Sequence, residues 1–259
     1  MRFTKVTGIG NDFVLVDNLG NSYKSFDFVS FAKKYCNRNF GIGADGVLIV
    51  SPSKKADARM RLINADGSEA EMCGNGIRCV AKYLIDNRMA KSPVKIETLA
   101  GIKTVEQVGV NYRVDMGVAK VTSAAAAING FSRNYVATLV DAGNPHCVIF
   151  VEDFDFDWQK EGKQIERNKM FPERTNVEFV KVNSPKKLEV KVWERGAGAT
   201  LACGTGACAA LAAAVANDKA GRKAAVKLPG GALEAEIASG NRVYMTGPAD
   251  VVFEGDVAV

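Results

Sequence analysis

The sequence predicts a mixed α and β chain of the α+β class, made of two pseudo-symmetric domains, each with strands wrapped around one central helix. Three observations lead there. The two halves repeat at a near-constant spacing. The strand-like segments are short and separated by turn residues. In each half a glycine-rich turn runs straight into an apolar helix.

The repeat is the strongest of the three. Cys73-Gly74-Asn75-Gly76 recurs 130 positions later as Cys203-Gly204-Thr205-Gly206. The same spacing pairs Val47 with Val177, Val50 with Val180, Asn64 with Glu194, Gly101 with Gly231 and Gly117 with Gly247. Nearer the start it slips to 133, matching Gly10-Asn11-Asp12-Phe13 with Gly143-Asn144-Pro145-His146. The boundary is expected between Val121 and Asn134, where an alanine run leads to Gly130. That divides the chain into residues 1–122, carrying Cys73, and 123–259, carrying Cys203, with the last strand free to pack back on the first domain.

Taken in order, the first half offers strands at Phe13–Asp17, Val47–Val50, Arg59–Ile63, Val94–Thr98 and Tyr112–Met116. Their counterparts are Cys147–Val151, Val177–Val182, Glu189–Trp193, Val226–Leu228 and Arg242–Thr246. Branched residues fill these segments and turn formers bound them. Helices are expected at Phe26–Asn37, Gly76–Arg88 and Gly206–Asn217. The last is almost entirely alanine, cysteine, leucine and valine. A helix apolar on every side must be surrounded by protein, which argues against a doubly wound sheet.

Composition narrows the function classes. Of 259 residues, 47% are hydrophobic and 24% charged, which excludes disordered, collagen-like and disulfide-scaffold chains. No apolar run approaches the ~18–20 residues of a membrane span. The N-terminus reaches a polar Gly-Asn-Asp by Asn11 and does not read as a signal peptide, so the cytoplasm is the expected compartment. The net charge of +5 comes from 34 basic and 29 acidic residues scattered along the chain. A nucleic-acid surface would need clustered charge and stacking rings.

Six cysteines and a single histidine, His146, set the available chemistry. Cys73 and Cys203 stand at equivalent places, each at the start of a helix and followed by Gly-x-Gly. Backbone N–H groups there bind anions such as a carboxylate, and the same field favours a thiolate. Glycines let a ligand approach the backbone. Facing each other across an interdomain cleft, two such sites would put one sulfur on each side of a carbon, suiting inversion of a stereocentre by two bases. Each sulfur ~3–3.5 Å from that carbon would place the pair on the order of 6–7 Å apart. Cys36, Cys79, Cys147 and Cys208 read as buried small hydrophobes. Zinc held by Cys73, Cys203 and His146 would lack any CxxC spacing, and no metal is expected.

The chain resembles the diaminopimelate epimerase family along essentially its whole length. The matching motifs are Phe3-Thr4-Lys5 with Gly8-Ile9-Gly10-Asn11-Asp12-Phe13, Gly41-Ile42-Gly43-Ala44-Asp45, Asn64-Ala65-Asp66-Gly67-Ser68 and Cys73-Gly74-Asn75-Gly76-Ile77-Arg78-Cys79. In the second half they are Gly143-Asn144-Pro145-His146, Arg174-Thr175-Asn176-Val177, Glu194-Arg195-Gly196 and Ala202-Cys203-Gly204-Thr205-Gly206. The resemblance implies mostly antiparallel, barrel-like domains closing over a small amino-acid substrate. It implies a cofactor-independent enzyme interconverting LL- and meso-diaminopimelate, on the route to lysine and peptidoglycan. It involves no nucleic acid or membrane partner, and a homodimer is allowed.

Roles follow position by position. Cys73 and Cys203 match the acid/base pair, and His146 and Glu194 match residues that tune the thiols. Gly74, Asn75, Gly204 and Thr205 match positions that hold the reacting carboxylate. Asn11, Asn64, Asn144, Asn176 and Arg195 match those gripping the other polar groups, with Glu194 also among the substrate contacts. Arg195 suits the distal carboxylate, because a guanidinium forks onto one.

Two departures stand out. Ala199 replaces a glutamate common after Glu-Arg-Gly-x-Gly, and Gly46 stands where some members carry glutamine. Ala199 leaves open a related racemase without pyridoxal phosphate and with a different amino-acid substrate. A thiol-redox or metal-binding module is the alternative of another class.

Overall fold

The computed structural model describes all 259 residues, Met1–Val259, in two compact units. One comprises Met1–Val114 together with Gly247–Val259, the other Asp115–Thr246. In chain order the first contains β1 (Arg2–Gly8), β2 (Asn11–Asp17), α1 (Phe28–Tyr35), β3 (Gly46–Ser51), β4 (Ala58–Asn64), β5 (Glu69–Ala70), α2 (Gly74–Asp86), β6 (Val94–Thr98) and β7 (Gly101–Val108). Strand β8 (Asn111–Val118) runs across the boundary. The second contains β9 (Lys120–Asn129), β10 (Asn134–Asp141), β11 (Pro145–Phe150), α3 (Trp158–Glu166), β12 (Asn176–Ser184), β13 (Lys187–Glu194), β14 (Gly198–Ala199), α4 (Gly204–Ala216), β15 (Lys223–Leu228), β16 (Gly231–Ile237) and β17 (Arg242–Gly247). Strand β18 (Asp250–Asp256) then returns to the first unit, antiparallel to β1.

The two units share one topology. In the first, β18, β1, β2, β3, β4, β6, β7 and β8 pair in that order, all antiparallel except β2–β3 and β4–β6. In the second, β9, β10, β11, β12, β13, β15, β16 and β17 do the same, with β11–β12 and β13–β15 parallel. Each sheet is thus mixed and mostly antiparallel. Strand β9 takes in the second unit the place that β18 takes in the first. The alanine run expected as a boundary is therefore a strand. Backbone pairing with β10 overrides the weak strand preference of Ala124–Ala127.

Helices α2 and α4 are the central ones. Ile77, Cys79, Val80, Ala81 and Leu84 of α2 are buried, and α4 is buried along Ala207–Ala214. Helix α2 packs on strands of its own unit from β1 to β7, and α4 on strands from β9 to β16. The shorter helices lie outside. Asp27 caps α1 by accepting from Val29 N and Ser30 N, so that helix starts two residues later than its apolar pattern suggests. Helix α3 was not expected, because Gly162 and its charges hide it. Gly162 is there because a Cβ would lie 2.6 Å from Cβ of Trp193.

Candidate active site

The first half-site is built where β1, β2 and α2 meet. Ile9 and Gly10 both have positive φ, 52° and 84°, making the tight two-residue turn that starts β2 at Asn11. Cys73 is the N-cap of α2, in extended conformation, and its sulfur accepts from Gly76 N at 3.4 Å. The helix thus begins at Gly74, two residues before the expected start. Asn11 Oδ1 accepts from the Cys73 thiol at 3.6 Å and from Asn75 Nδ2 at 3.2 Å. Gly74 and Asn75 are buried in the first turn, where amides have no partner within the helix.

Behind Asn11 lies an ionic network. Asn11 Nδ2 donates to Asp45 at 2.6 Å, Arg38 bridges Asp12 and Asp45, and buried Lys5 binds Asp12 and the Gly43 carbonyl. Lys5, Asn11, Asp12, Gly43 and Asp45 of this network belong to the matching motifs, and Arg38 lies outside them. Asn64 ends β4, with its side chain donating to Ser68 Oγ at 3.0 Å. Gly46 faces Asn64 across β3–β4, and a Cβ there would lie 2.7 Å from the Ile63 carbonyl, so in this strand pair a side chain would require a shift.

The second half-site repeats the plan with a different electrostatic lining. Cys203 is the N-cap of α4, and its sulfur accepts from Gly206 N at 3.3 Å and lies 3.5 Å from the Thr205 hydroxyl. Gly204 opens the helix. Glu194, at the end of β13, accepts from the Thr200 hydroxyl. His146 Nδ1 lies 2.7 Å from Glu178 Oε1, and Nε2 lies 2.8 Å from Asn144 Oδ1. The side chains of His146 and Glu178 are fully enclosed. Both ring nitrogens are engaged, and no group of three or more His, Cys, Asp or Glu residues is set to hold a metal ion.

Asn176 Nδ2 donates to the Pro145 carbonyl, while its Oδ1 accepts from Arg195 N at 3.0 Å. Arg195 extends an exposed guanidinium to the Glu173 carbonyl at 3.3 Å. Buried Glu166 supports this corner by accepting from Trp193 Nε1 and Gly196 N, both at 2.9 Å. Ala199 is exposed on the short strand β14, opposite Trp193.

Two opposing influences act on the Cys203 thiol. A helix start favours a thiolate, but burial pushes this thiol well above its ordinary value, and the charges of Glu194 and Glu178 push it further. The Thr205 and Gly206 hydrogen bonds oppose this and do not prevail. Burial also raises the Glu194 carboxyl, against hydrogen bonds from Thr200 and Cys203. Burial and the two carboxylates thus favour the thiol form of Cys203. Cys73 is the one cysteine that is only partly buried.

Glu178 is the residue that sequence reasoning missed. Its signal was an acidic residue inside the apolar run Val177, Phe179, Val180, where a charge needs a reason to be buried.

The family profile described as diaminopimelate epimerase matches residues 3–122 and 138–252. A diaminopimelate epimerase of Desulfitobacterium hafniense is 49% identical over 98% of this chain and 97% of its own length.

This chain belongs to the diaminopimelate epimerase family.

Another member, the diaminopimelate epimerase of Methanococcus maripaludis, is 44% identical over the full length of both chains. Among solved structures, a hydroxyproline epimerase from Agrobacterium vitis superposes with a TM-score of 0.75 at 16% identity, covering 98% of this chain and 91% of that one. A PhzF-family phenazine biosynthesis protein from Bacillus anthracis gives 0.75 at 15% identity, covering 100% and 99%. These place the diaminopimelate epimerase fold beside racemase-type and PhzF folds. No helix in this family member is long and apolar enough to cross a membrane.

Proposed function

We propose that this protein interconverts LL- and meso-diaminopimelate by a two-base reaction that needs no cofactor, with Cys73 and Cys203 as the acid/base pair. The observation that carries the reading is the duplicated N-cap. In each unit a cysteine sulfur accepts the N–H of a glycine three residues on, at the mouth of a buried helix. One sulfur removes the α-proton while the other supplies a proton to the opposite face. For one direction of reaction Cys203, held as a thiol, is the donor and Cys73 the base. In the other direction they exchange roles.

The first-turn amides at Gly74, Asn75, Gly204 and Thr205 suit the reacting carboxylate, whose charge grows as the α-carbon becomes carbanion-like. Asn11 and Asn144 orient the groups around that carbon. Asn64, Asn176 and Arg195 take the distal amino-acid head, with the guanidinium on its carboxylate. His146 and Glu194 tune the two thiols.

Membership in a family whose relatives are named diaminopimelate epimerase disfavours the reading as a racemase of another amino acid. Incubation of each diaminopimelate isomer in heavy water tests the proposal. The expected result is inversion with one deuterium at the α-carbon, lost in Cys73→Ala and Cys203→Ala. Turnover of another amino acid without diaminopimelate would overturn it.

A further inference from the structure

Below the first turn of α2 and of α4, the strand pair β2–β3 or β11–β12 holds two positions that the repeat aligns. The repeat makes these positions comparable one by one. In the first unit they are Phe13 and Leu48; in the second, His146 and Glu178. Phe13 pairs with Gly46 and Leu15 with Leu48, just as His146 pairs with Asn176 and Val148 with Glu178. A Cβ at Gly76 would meet Leu48 Cδ2 at 3.0 Å, and a Cβ at Gly206 would meet Glu178 Oε1 at 2.8 Å and Cys203 Sγ at 3.2 Å. The same place under the same glycine holds a hydrocarbon in one repeat and a carboxylate in the other.

Packing alone does not explain that carboxylate, since leucine fills the equivalent place. Glu178 is fully buried, its Oε2 has no hydrogen-bond partner in the protein, and its recorded bond is the one from His146 to Oε1. A buried charge so poorly satisfied is a cost to the fold. We propose that Glu178 is a positioning residue, which holds the His146 imidazole with a proton on Nδ1 and thereby makes the second half-site chemically unlike the first. The inference rests on the reading that Cys203 and His146 serve the reaction.

The reasoning is one of competing acceptors. An ionised carboxylate can only accept, so the short contact to Oε1 requires hydrogen on Nδ1. Asn144 Oδ1, facing Nε2, asks for hydrogen on the other nitrogen. In the neutral ring one proton must choose, and the charge-assisted bond is the stronger. Asn144 then turns its amide nitrogen toward the Nε2 lone pair. In the charged ring both nitrogens donate and the Asn144 oxygen accepts. In either case Glu178 keeps the Nδ1 proton in place, and Nε2 is the nitrogen left to Asn144. The Glu178 charge reaches Glu194 on β13 and Cys203 at the start of α4, and also Cys147 on the opposite face of β11. All three are raised from their ordinary values, in part by the Glu178 charge.

His146 is the only histidine in the chain, so a protein labelled with ring-15N histidine gives a single imidazole. At high pH, nitrogen NMR of the wild type should show hydrogen on Nδ1 and an unprotonated Nε2. Glu178→Leu, which installs the residue of the first repeat, should move the proton to Nε2 and lower kcat roughly tenfold or more, with KM within about twofold. Glu178→Gln, whose amide oxygen can still accept, should keep the Nδ1 tautomer and recover part of kcat. Hydrogen on Nε2 in the neutral wild-type ring overturns the proposal, as does a Leu variant with unchanged spectrum and turnover. If Glu178→Leu does not fold, the wild-type and Gln spectra decide. The spectra need no substrate. A correct tautomer in a protein that ignores diaminopimelate would sink the functional reading alone.

Discussion

Asp45 accepts from the Asn11 side-chain amide at 2.6 Å, and that contact fixes which end of the amide faces Cys73. With its nitrogen committed to a carboxylate, Asn11 has only its oxygen to offer to the thiol and to Asn75. Arg38 and Asp12 hold Asp45 in turn, so the network reaches the sulfur through one rotatable amide. Asp45→Ala should leave the fold intact, because Asp45 is partly exposed. It should free Asn11 to rotate and lower kcat/KM by about tenfold. Steady-state kinetics beside a thermal melt checks both halves of this expectation.

Gly206 and Gly76 should not tolerate alanine equally. At Gly206 the new carbon meets a carboxylate oxygen pinned by His146, whereas at Gly76 it meets the mobile end of Leu48. Gly206→Ala should cost ~1–3 kcal/mol through overpacking. Gly76→Ala should cost less, since alanine is the better helix former. Urea denaturation midpoints of the two variants give the comparison.

Thiol labelling should follow burial. Cys36 and Cys79 are pushed up by burial to about 11 and about 12, and Cys147 higher still. Iodoacetamide at neutral pH, followed by peptide mass spectrometry, should therefore mark Cys73 first and leave Cys36, Cys79, Cys147 and Cys208 unmodified until the protein unfolds.

Much of this was legible in the chain because duplication writes the architecture twice. The Cys-Gly-x-Gly turns located both central helices, and each expected strand lies on an observed one. The misses have physical causes. Strand β9 carries alanines whose own preference is not for strand, and it exists through its pairing with β10. The compact units pass from the first to the second at residues 114–115, and β18 pairs back on β1 as the sequence division allowed. Glu178 escaped notice because matching the repeats by similarity hides a position where they differ. Its place opposite Leu48 in the repeat carries meaning because Gly206 rests on it.

Acid should weaken the second unit through two buried carboxylates. Burial pushes Glu161 and Glu166 up, yet both end below their ordinary 4.5. Ser132 and Phe131 N–H groups hold the first, and Trp193, Gly196 N and the Arg174 charge hold the second. For a lowered carboxyl the stabilisation is complete above 4.5 and fades as pH falls through the folded-state value. Stability measured by denaturant should therefore drop below about pH 4.5, and less steeply in Glu161→Gln and Glu166→Gln. At neutral pH, Glu166→Ala should cost about 1–3 kcal/mol by stranding its buried donors. It should also raise KM, since Gly196 is the neighbour of Arg195.

Deuterium uptake resolved by isomer and by cysteine tests the two-thiol claim most directly. In heavy water the account predicts that neither Cys73→Ala nor Cys203→Ala inverts LL- or meso-diaminopimelate. Any residual exchange at the α-carbon should occur with retention, on one isomer in the first variant and on the opposite isomer in the second. Inversion surviving in either variant, or exchange on the same isomer in both, would contradict it.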